Sequence, residues 1–350
     1  MRIQSGIVPV LASAMLFGAS TPFARALIGE INPLWLAGLL YCGSGLGLSL
    51  LLALRHAGIA GANRRVSGIA RSDLSWLAFS VVAGGVVAPV LFTFGLRDTS
   101  GATASLLLNL ETVLTVAIAW FVFREHRNTR VVIGMALIVT AGILLAGGGG
   151  REFDAGAPLI ALACLCWAID NNATRRIAGN DAMLIATTKG LVGGTVNVGL
   201  AVLFAGSAPR ATDAFAAAGV GFCGYGISLV LFVIALRELG TARASAYYGV
   251  APFVGVAVAF GLLGERPEGA FWGAAGLMAV GVWLHLTERH GHLHAHQPLE
   301  HTHSHGHDAH HRHEHAFAWD GHEPHSHVHT HDPLVHAHAH APDLHHRHEH

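Results

Sequence analysis

Two stretches decide how this chain folds: Gly95–Arg127, GLRDTSGATASLLLNLETVLTVAIAWFVFREHR, and Ala235–Pro267, ALRELGTARASAYYGVAPFVGVAVAFGLLGERP. Laid side by side without a gap, Leu96-Arg97 falls on Leu236-Arg237, Ala102 on Ala242, Ala104-Ser105 on Ala244-Ser245, and Glu125 on Glu265. One residue of slip later, Gly134 meets Gly273 and Gly142 meets Gly281, while upstream Phe17 to Arg25 lies against Trp167 to Arg175. Matched charges at both ends of an apolar stretch point to an internal repeat, not to chance likeness of two greasy runs.

Working outward, the chain has 350 residues, 52% hydrophobic and only 12% charged, against roughly 25% charged in ordinary soluble domains. Ten apolar runs lie at 7–27, 33–54, 74–95, 102–122, 131–147, 157–174, 182–205, 215–235, 244–263 and 269–286. Each has about the length a helix needs to span hydrocarbon, so the expected fold is an all-α polytopic membrane protein with ten transmembrane helices. Asn32-Pro33 and the glycines 147–150 punctuate the runs where helices should start and stop. With the N-terminus in the cytoplasm, twelve arginines fall in inside segments and five in outside ones, the bias that orients inner-membrane proteins. An even number of spans then returns the C-terminus to the cytoplasm. Five spans per repeat, an odd number, turn the second copy upside down relative to the first. The domains expected are 1–148 and 149–288, the two five-helix repeats, and a tail at 289–350.

These features resemble the drug/metabolite transporter superfamily, in its EamA-like branch. The residues that carry the likeness are the repeat ends Phe123-Arg124-Glu125 and Leu263-Gly264-Glu265, the glycine-bearing helix after each, and Ala251-Pro252 in the ninth run. The resemblance implies ten spans, both termini cytoplasmic, and transport or export of small solutes. One departure stands out: Thr112, preceded by Glu111, occupies the position matching Pro252.

Polar residues inside a span are costly unless they are paired or line a wet path. Glu111 and Asn109 lie mid-way along the fourth run, Asp170-Asn171-Asn172 in the sixth, Lys189 and Asn197 in the seventh, and Tyr247-Tyr248 at the start of the ninth. Two readings compete. Either these residues line a substrate or proton pathway, with Glu111 carrying a proton and Lys189 a counter-charge, or Lys189 and a carboxylate satisfy each other. Asp170 is expected near an interface, capping a helix or meeting Arg175, and His285 at an interface. Gly43 and Gly47, Gly190 and Gly194, and Gly269 and Gly273 are spaced for close helix packing. No Walker A loop, HExxH or serine-nucleophile elbow is present, so the sequence reads as a non-enzyme that needs no cofactor and binds no nucleic acid. Its partners are the lipid bilayer and a small-molecule substrate. The sequence does not state the number of copies in the assembly.

Of 27 histidines, 24 lie at or after His290. They alternate as His292, His294, His296; His301, His303, His305, His307; His310, His311, His313, His315; and His336, His338, His340. Imidazoles in such numbers suit divalent Zn, Ni, Co or Cu. Interspersed prolines and acids make a segment expected to have no regular structure. Three functional readings follow: an ion-coupled metabolite exporter with a metal-binding tail, a transition-metal exporter, and a metal sensor or store on a transporter scaffold. The membrane part favours the first, because its histidines are only His56, His126 and His285.

Overall fold

The computed structural model describes residues 6–57, 68–123, 129–147, 154–267 and 269–287, and the backbone of 291–296, 300–305, 325–330 and 334–339. Its contacts divide the chain into a helical unit up to Glu288 and a smaller unit within Arg289–Ala341. Glu125 and the junction at 148–149 lie outside the described residues.

Among the described residues the first unit contains α1 (Ile7–Leu27), α2 (Pro33–His56), α3 (Arg71–Asp98), α4 (Gly101–Val122), α5 (Thr129–Ala146), α6 (Ala157–Ile177), α7 (Ala182–Phe204), α8 (Ala211–Gly240), α9 (Arg243–Gly261) and α10 (Ala270–Leu286). Eight are long and apolar enough to cross a membrane. The other two depart in different ways: α6 carries Asp170, Arg175 and Arg176, and α10 is apolar but only 17 residues long. Local chemistry sets the starts. Asn32 accepts a hydrogen bond from the Leu34 amide ahead of Pro33, and Asp181 accepts from Met183 and Leu184. Both satisfy amides that the first turn leaves without a helical partner.

The outer faces expose Met15, Leu50, Phe121, Ile143, Val202, Phe215 and Trp283. An apolar belt of this extent is what lipid, not water, would cover. Inside, close contacts rest on glycine. α2 lies along α7, where a Cβ on Gly190 would sit 2.5 Å from the Gly45 amide. α5 lies along α10, where a Cβ on Gly134 would sit 2.8 Å from the Gly281 carbonyl. Gly43 and Gly47 meet Ala218 and Phe222 of α8. Gly269 and Gly273 face open space, so the third glycine pair is not a packing contact. α1 is tied to α8 by Ser13 and Ser228, whose hydroxyls lie 3.0 Å apart and whose backbone carbonyls each accept from the other's hydroxyl.

Four helices are irregular, and the irregularities position the site. α3 and α8 each contain a π-helical stretch, Val81–Val87 and Phe222–Ile227, where the wider turn leaves carbonyls without their usual partners. α4 is interrupted at Leu108, between Gly101–Leu107 and Asn109–Phe123. α9 is interrupted at Gly249-Val250, ahead of Pro252 in the first turn of Ala251–Gly261. Between α8 and α9 the chain turns at Gly240, whose φ of 75° suits glycine.

His285 is buried: its Nε2 lies 3.2 Å from the Val131 carbonyl, and the bare face of Gly134 makes room for its ring. One expectation changes here. The tail is not wholly without regular structure. Gly291–His296 pairs antiparallel with Leu334–Ala339, and Glu300–His305 with His325–Thr330. The physical reason lies in the sequence, since His-x-His alternation has the two-residue period of a strand. Of the tail histidines singled out, His292, His294, His296, His301, His303, His305, His336 and His338 fall in these strands. His307, His310, His311, His313, His315 and His340 lie outside the described residues.

Candidate functional site

The site begins at the interruption of α4. The break at Leu108 starts a new helix whose first turn holds Glu111, and a helix N-terminus favours negative charge. Glu111 is 7% exposed, and its Oε1 accepts a 2.8 Å hydrogen bond from Asn171 Nδ2 on α6. One turn further on, Thr115 Oγ1 lies 3.4 Å from the same Asn171 nitrogen. α4 and α6 are thus joined at the carboxylate.

One residue earlier on α6, Asp170 meets Lys189 of α7. The ammonium lies 2.6 and 2.7 Å from the two carboxylate oxygens and 3.2 Å from the Thr174 hydroxyl. Asp170 Oδ1 also accepts from Ser80 at 2.5 Å and from Thr174 at 3.0 Å. Both charges are buried, Lys189 at 2% exposure and Asp170 at 4%. An ammonium has three N–H donors, and here all three are used. Asp170 therefore pairs with Lys189, and it is buried among the helices.

The π-helical stretch of α3 brings its backbone up against this pair. A Cβ on Gly84 would overlap the Asp170 carboxylate, so glycine is what the approach requires. The carbonyls of this stretch are taken by side chains from three other helices. Tyr41 of α2 donates to the Gly84 carbonyl at 2.5 Å, Trp167 of α6 to the same atom at 3.2 Å, and Asn197 of α7 to the Gly85 carbonyl at 3.1 Å.

Between these groups lies a cavity lined by Glu111, Asp170, Asn171 and Lys189 and by the rings of Phe17, Tyr41, Trp167, Tyr225, Phe232 and Tyr248. It leaves about 50 Å³ for the centres of water-sized atoms, room for a few waters or a small solute. Five of the residues picked from sequence, Glu111, Asp170, Asn171, Lys189 and Tyr248, therefore share one cavity wall. The rest serve the scaffold. Asn172 donates to the Thr115 and Ala168 carbonyls, Asn109 lies 3.6 Å from the Met278 sulfur, and Asn197 holds α3. Tyr247 is half-buried and off the lining, where its neighbour Tyr248 stands instead. Sequence reasoning missed Phe17, Tyr41, Trp167, Tyr225 and Phe232. A signal existed for two of them, since Phe17 and Trp167 head the two segments that align upstream.

The model of the EamA-like transporter family matches residues 4–147 and again 154–287. The chain belongs to the EamA-like transporter family. Like other EamA-like proteins it is a multi-pass membrane transporter. It is similar to an uncharacterized transporter of Methanothermobacter thermautotrophicus, at 26% identity over 81% of this chain and 87% of that protein. It is also similar to the uncharacterized transporter YyaM of Bacillus subtilis, at 22% identity over 72% of this chain and 84% of that one. A solved crystal structure shares the fold with a TM-score of 0.60, at 19% identity over 81% of this chain and 96% of that one.

The ion pair yields a stability prediction. Removing one partner leaves a buried charge uncompensated, so Asp170→Asn or Lys189→Met alone should lower unfolding free energy by about 3–5 kcal/mol. The double replacement should lower it by clearly less than the sum. Denaturant unfolding of the detergent-solubilised variants checks this, and additive effects would show that the two side chains are not coupled.

Proposed function

We propose that this EamA-like protein is a secondary transporter that moves a small organic solute by alternating access of two inverted five-helix repeats, 1–148 and 149–288. The observation that carries the reading is the cavity itself, walled by seven helices and reached by both interrupted ones, through Glu111 of α4 and Tyr248 of α9. Discontinuous helices meeting at a site between repeats are a recurring transporter arrangement. Several pairings support inverted copies. Shifting Val81–Val87 by the 140 residues that separate Gly95 from Ala235 gives 221–227, the π-helical stretch of α8 with one residue to spare. The same shift carries the break at Leu108 to position 248, beside the break at Gly249. α2 packs on α7 and α5 on α10, each helix on its own counterpart, as expected beside a two-fold axis in the membrane plane.

On this reading all ten helices span. α6, with the partner of its buried carboxylate supplied by α7 and its other faces against α3 and α4, need not be uniformly apolar. α10, at 17 residues, reaches the lower limit for a span. Both termini lie on the cytoplasmic side of a bacterial-type inner membrane, as the arginine bias directs.

Glu111 is the proposed proton carrier. In proteoliposomes, Glu111→Gln should abolish gradient-driven accumulation of solute while the protein still inserts and folds. Undiminished uphill flux in the variant would remove the carboxylate from the coupling role. For topology, reporter fusions after Arg64 and after Glu288 should both report cytoplasm and one after Asp154 the outside. An external signal after Glu288 would contradict both the ten spans and the inversion.

The tail is proposed to bind divalent transition metal and to regulate transport. Its strand register supports this: His292 stands opposite His338, His294 opposite His336, His301 opposite His329, His303 opposite His327, and His305 opposite His325. Cα atoms so paired lie about 4.5–5.5 Å apart, a spacing at which two imidazoles can share one ion. Calorimetry should find several equivalents of Zn²⁺ or Ni²⁺ bound by the full chain at neutral pH and few by a chain ending at Arg289. Binding should collapse near pH 5, where protons compete for the same nitrogens. Equal uptake by the two chains would exclude the tail as the metal site.

A further inference from the structure

The charges around the cavity do not balance, and the imbalance identifies a class of solute. Lys189 directs all three of its N–H donors to Asp170 and Thr174, so that ammonium has no donor left for an anion. Asp170 and Lys189 cancel. Glu111 has no such partner: its hydrogen bond comes from the neutral Asn171 amide. Among the described residues no lysine, arginine or histidine stands within ion-pair distance of it. One uncompensated carboxylate therefore faces the cavity.

The remaining wall is largely aromatic. Phe17 lies with its ring centroid 5.6 Å from those of Tyr225 and Tyr248 and 5.9 Å from that of Trp167. Tyr41 lies 5.4 Å from Tyr225. Five rings thus form one connected group around the space that Glu111 enters. The faces of such rings attract cations, most strongly where water is excluded. A bare divalent metal ion fits poorly, because Glu111 is the one lining carboxylate not already engaged by an ammonium, and the other lining oxygens are neutral hydroxyls and the Asn171 amide.

Resting on the transport reading above, we propose that the cavity takes a small organic cation, an ammonium-bearing solute with Glu111 as its counter-charge and Phe17, Tyr41, Trp167, Tyr225 and Tyr248 as its cage. The Asp170–Lys189 pair keeps its own charges to itself and leaves Glu111 as the single ionic anchor. A neutral solute of the same shape would leave that carboxylate without a partner, and an anion would be repelled by it.

The test uses three probes of nearly one shape and different charge: choline, its neutral carbon analogue 3,3-dimethylbutan-1-ol, and the anion 3,3-dimethylbutanoate. Binding is measured by calorimetry on the purified full chain in nanodiscs at neutral pH. Choline should bind at least about tenfold more tightly than the neutral analogue, and the anion should not bind at all. Glu111→Gln should remove the preference for the cation, Glu111→Asp should keep part of it, and Tyr225→Leu should weaken choline by roughly tenfold with little effect on the neutral probe. The two Glu111 replacements have similar bulk to the native residue but differ in charge, so a folding defect shared by both is separable from loss of the anchor. Equal binding of cation and neutral analogue, preference for the anion, or no binding of any probe overturns the proposal. In any of those cases, flux of a neutral or anionic solute through proteoliposomes would leave the transport reading standing. Absence of all solute flux would remove that reading instead.

Discussion

Three carbonyl groups on one widened turn of α3, those of Gly84, Gly85 and Val86, bind that helix to α2, α6 and α7 at the centre of the protein. In hydrocarbon an unsatisfied carbonyl costs several kcal/mol, because no water can replace the lost partner. A π-helical turn creates such carbonyls, and Tyr41, Trp167 and Asn197 answer them. Two of those three donors also present their rings to the cavity. The backbone irregularity and the cavity wall thus share Tyr41 and Trp167. The glycines of VVAGGVV complete it, since at Gly84 only a bare backbone lets Asp170 come close enough to meet Lys189.

The buried polar groups then separate into two kinds. Asp170, Lys189, Ser80 and Thr174 form a closed network in which every ammonium proton has an acceptor. Such a network contributes rigidity and fixes the register of α3, α6 and α7, at the risk of a large penalty if one member is lost. Glu111 is of the other kind. Its position in the first turn of a half-helix, with an amide as hydrogen-bond partner, stabilises negative charge without supplying a positive one. A carboxylate held in that way has no cation of its own among the described residues, which is what the proposed roles of Glu111 require.

The likeness of the two segments was legible in the sequence because its anchors are charged and small residues, Arg97 with Arg237 and Ser105 with Ser245, which stand out against an apolar background. The ion pair was legible as one of two readings, since Lys189 inside a span demands an acid. The aromatic lining was legible only at Tyr248, because its other rings come from residues as distant as Phe17, Tyr41, Trp167 and Tyr225, and no spacing along the chain joins them. Nor could the π-helical stretches be read. Nothing in VVAGGVV or FCGYGI distinguishes an i→i+5 turn from an i→i+4 one until the acceptors of the freed carbonyls are known. The glycine pairs were read evenly although they are not alike. Gly190 and Gly194 lie in the seam with α2, whereas Gly269 and Gly273 face outward, a difference of rotation that spacing alone does not carry.

What the two segments share and what they do not share fit together. Gly84 and Gly224 fall at equivalent positions. A Cβ on the first would strike Asp170, and one on the second would strike Ser20, the residue aligned with Asp170 in the match of Phe17–Arg25 to Trp167–Arg175. The same close approach is therefore built twice, once onto a charged side chain and once onto a neutral one. Glu111 likewise stands opposite Ala251 in the alignment. If the segments are inverted copies, as proposed, their common backbone provides two interchangeable conformations of each half. On that reading the differences between the copies keep charge uneven: an acid stands at 111 and 170 where the second and first segments have Ala251 and Ser20. Further buried carboxylates at those positions would repel the existing ones strongly in a low dielectric, and a single unpaired acid avoids that repulsion.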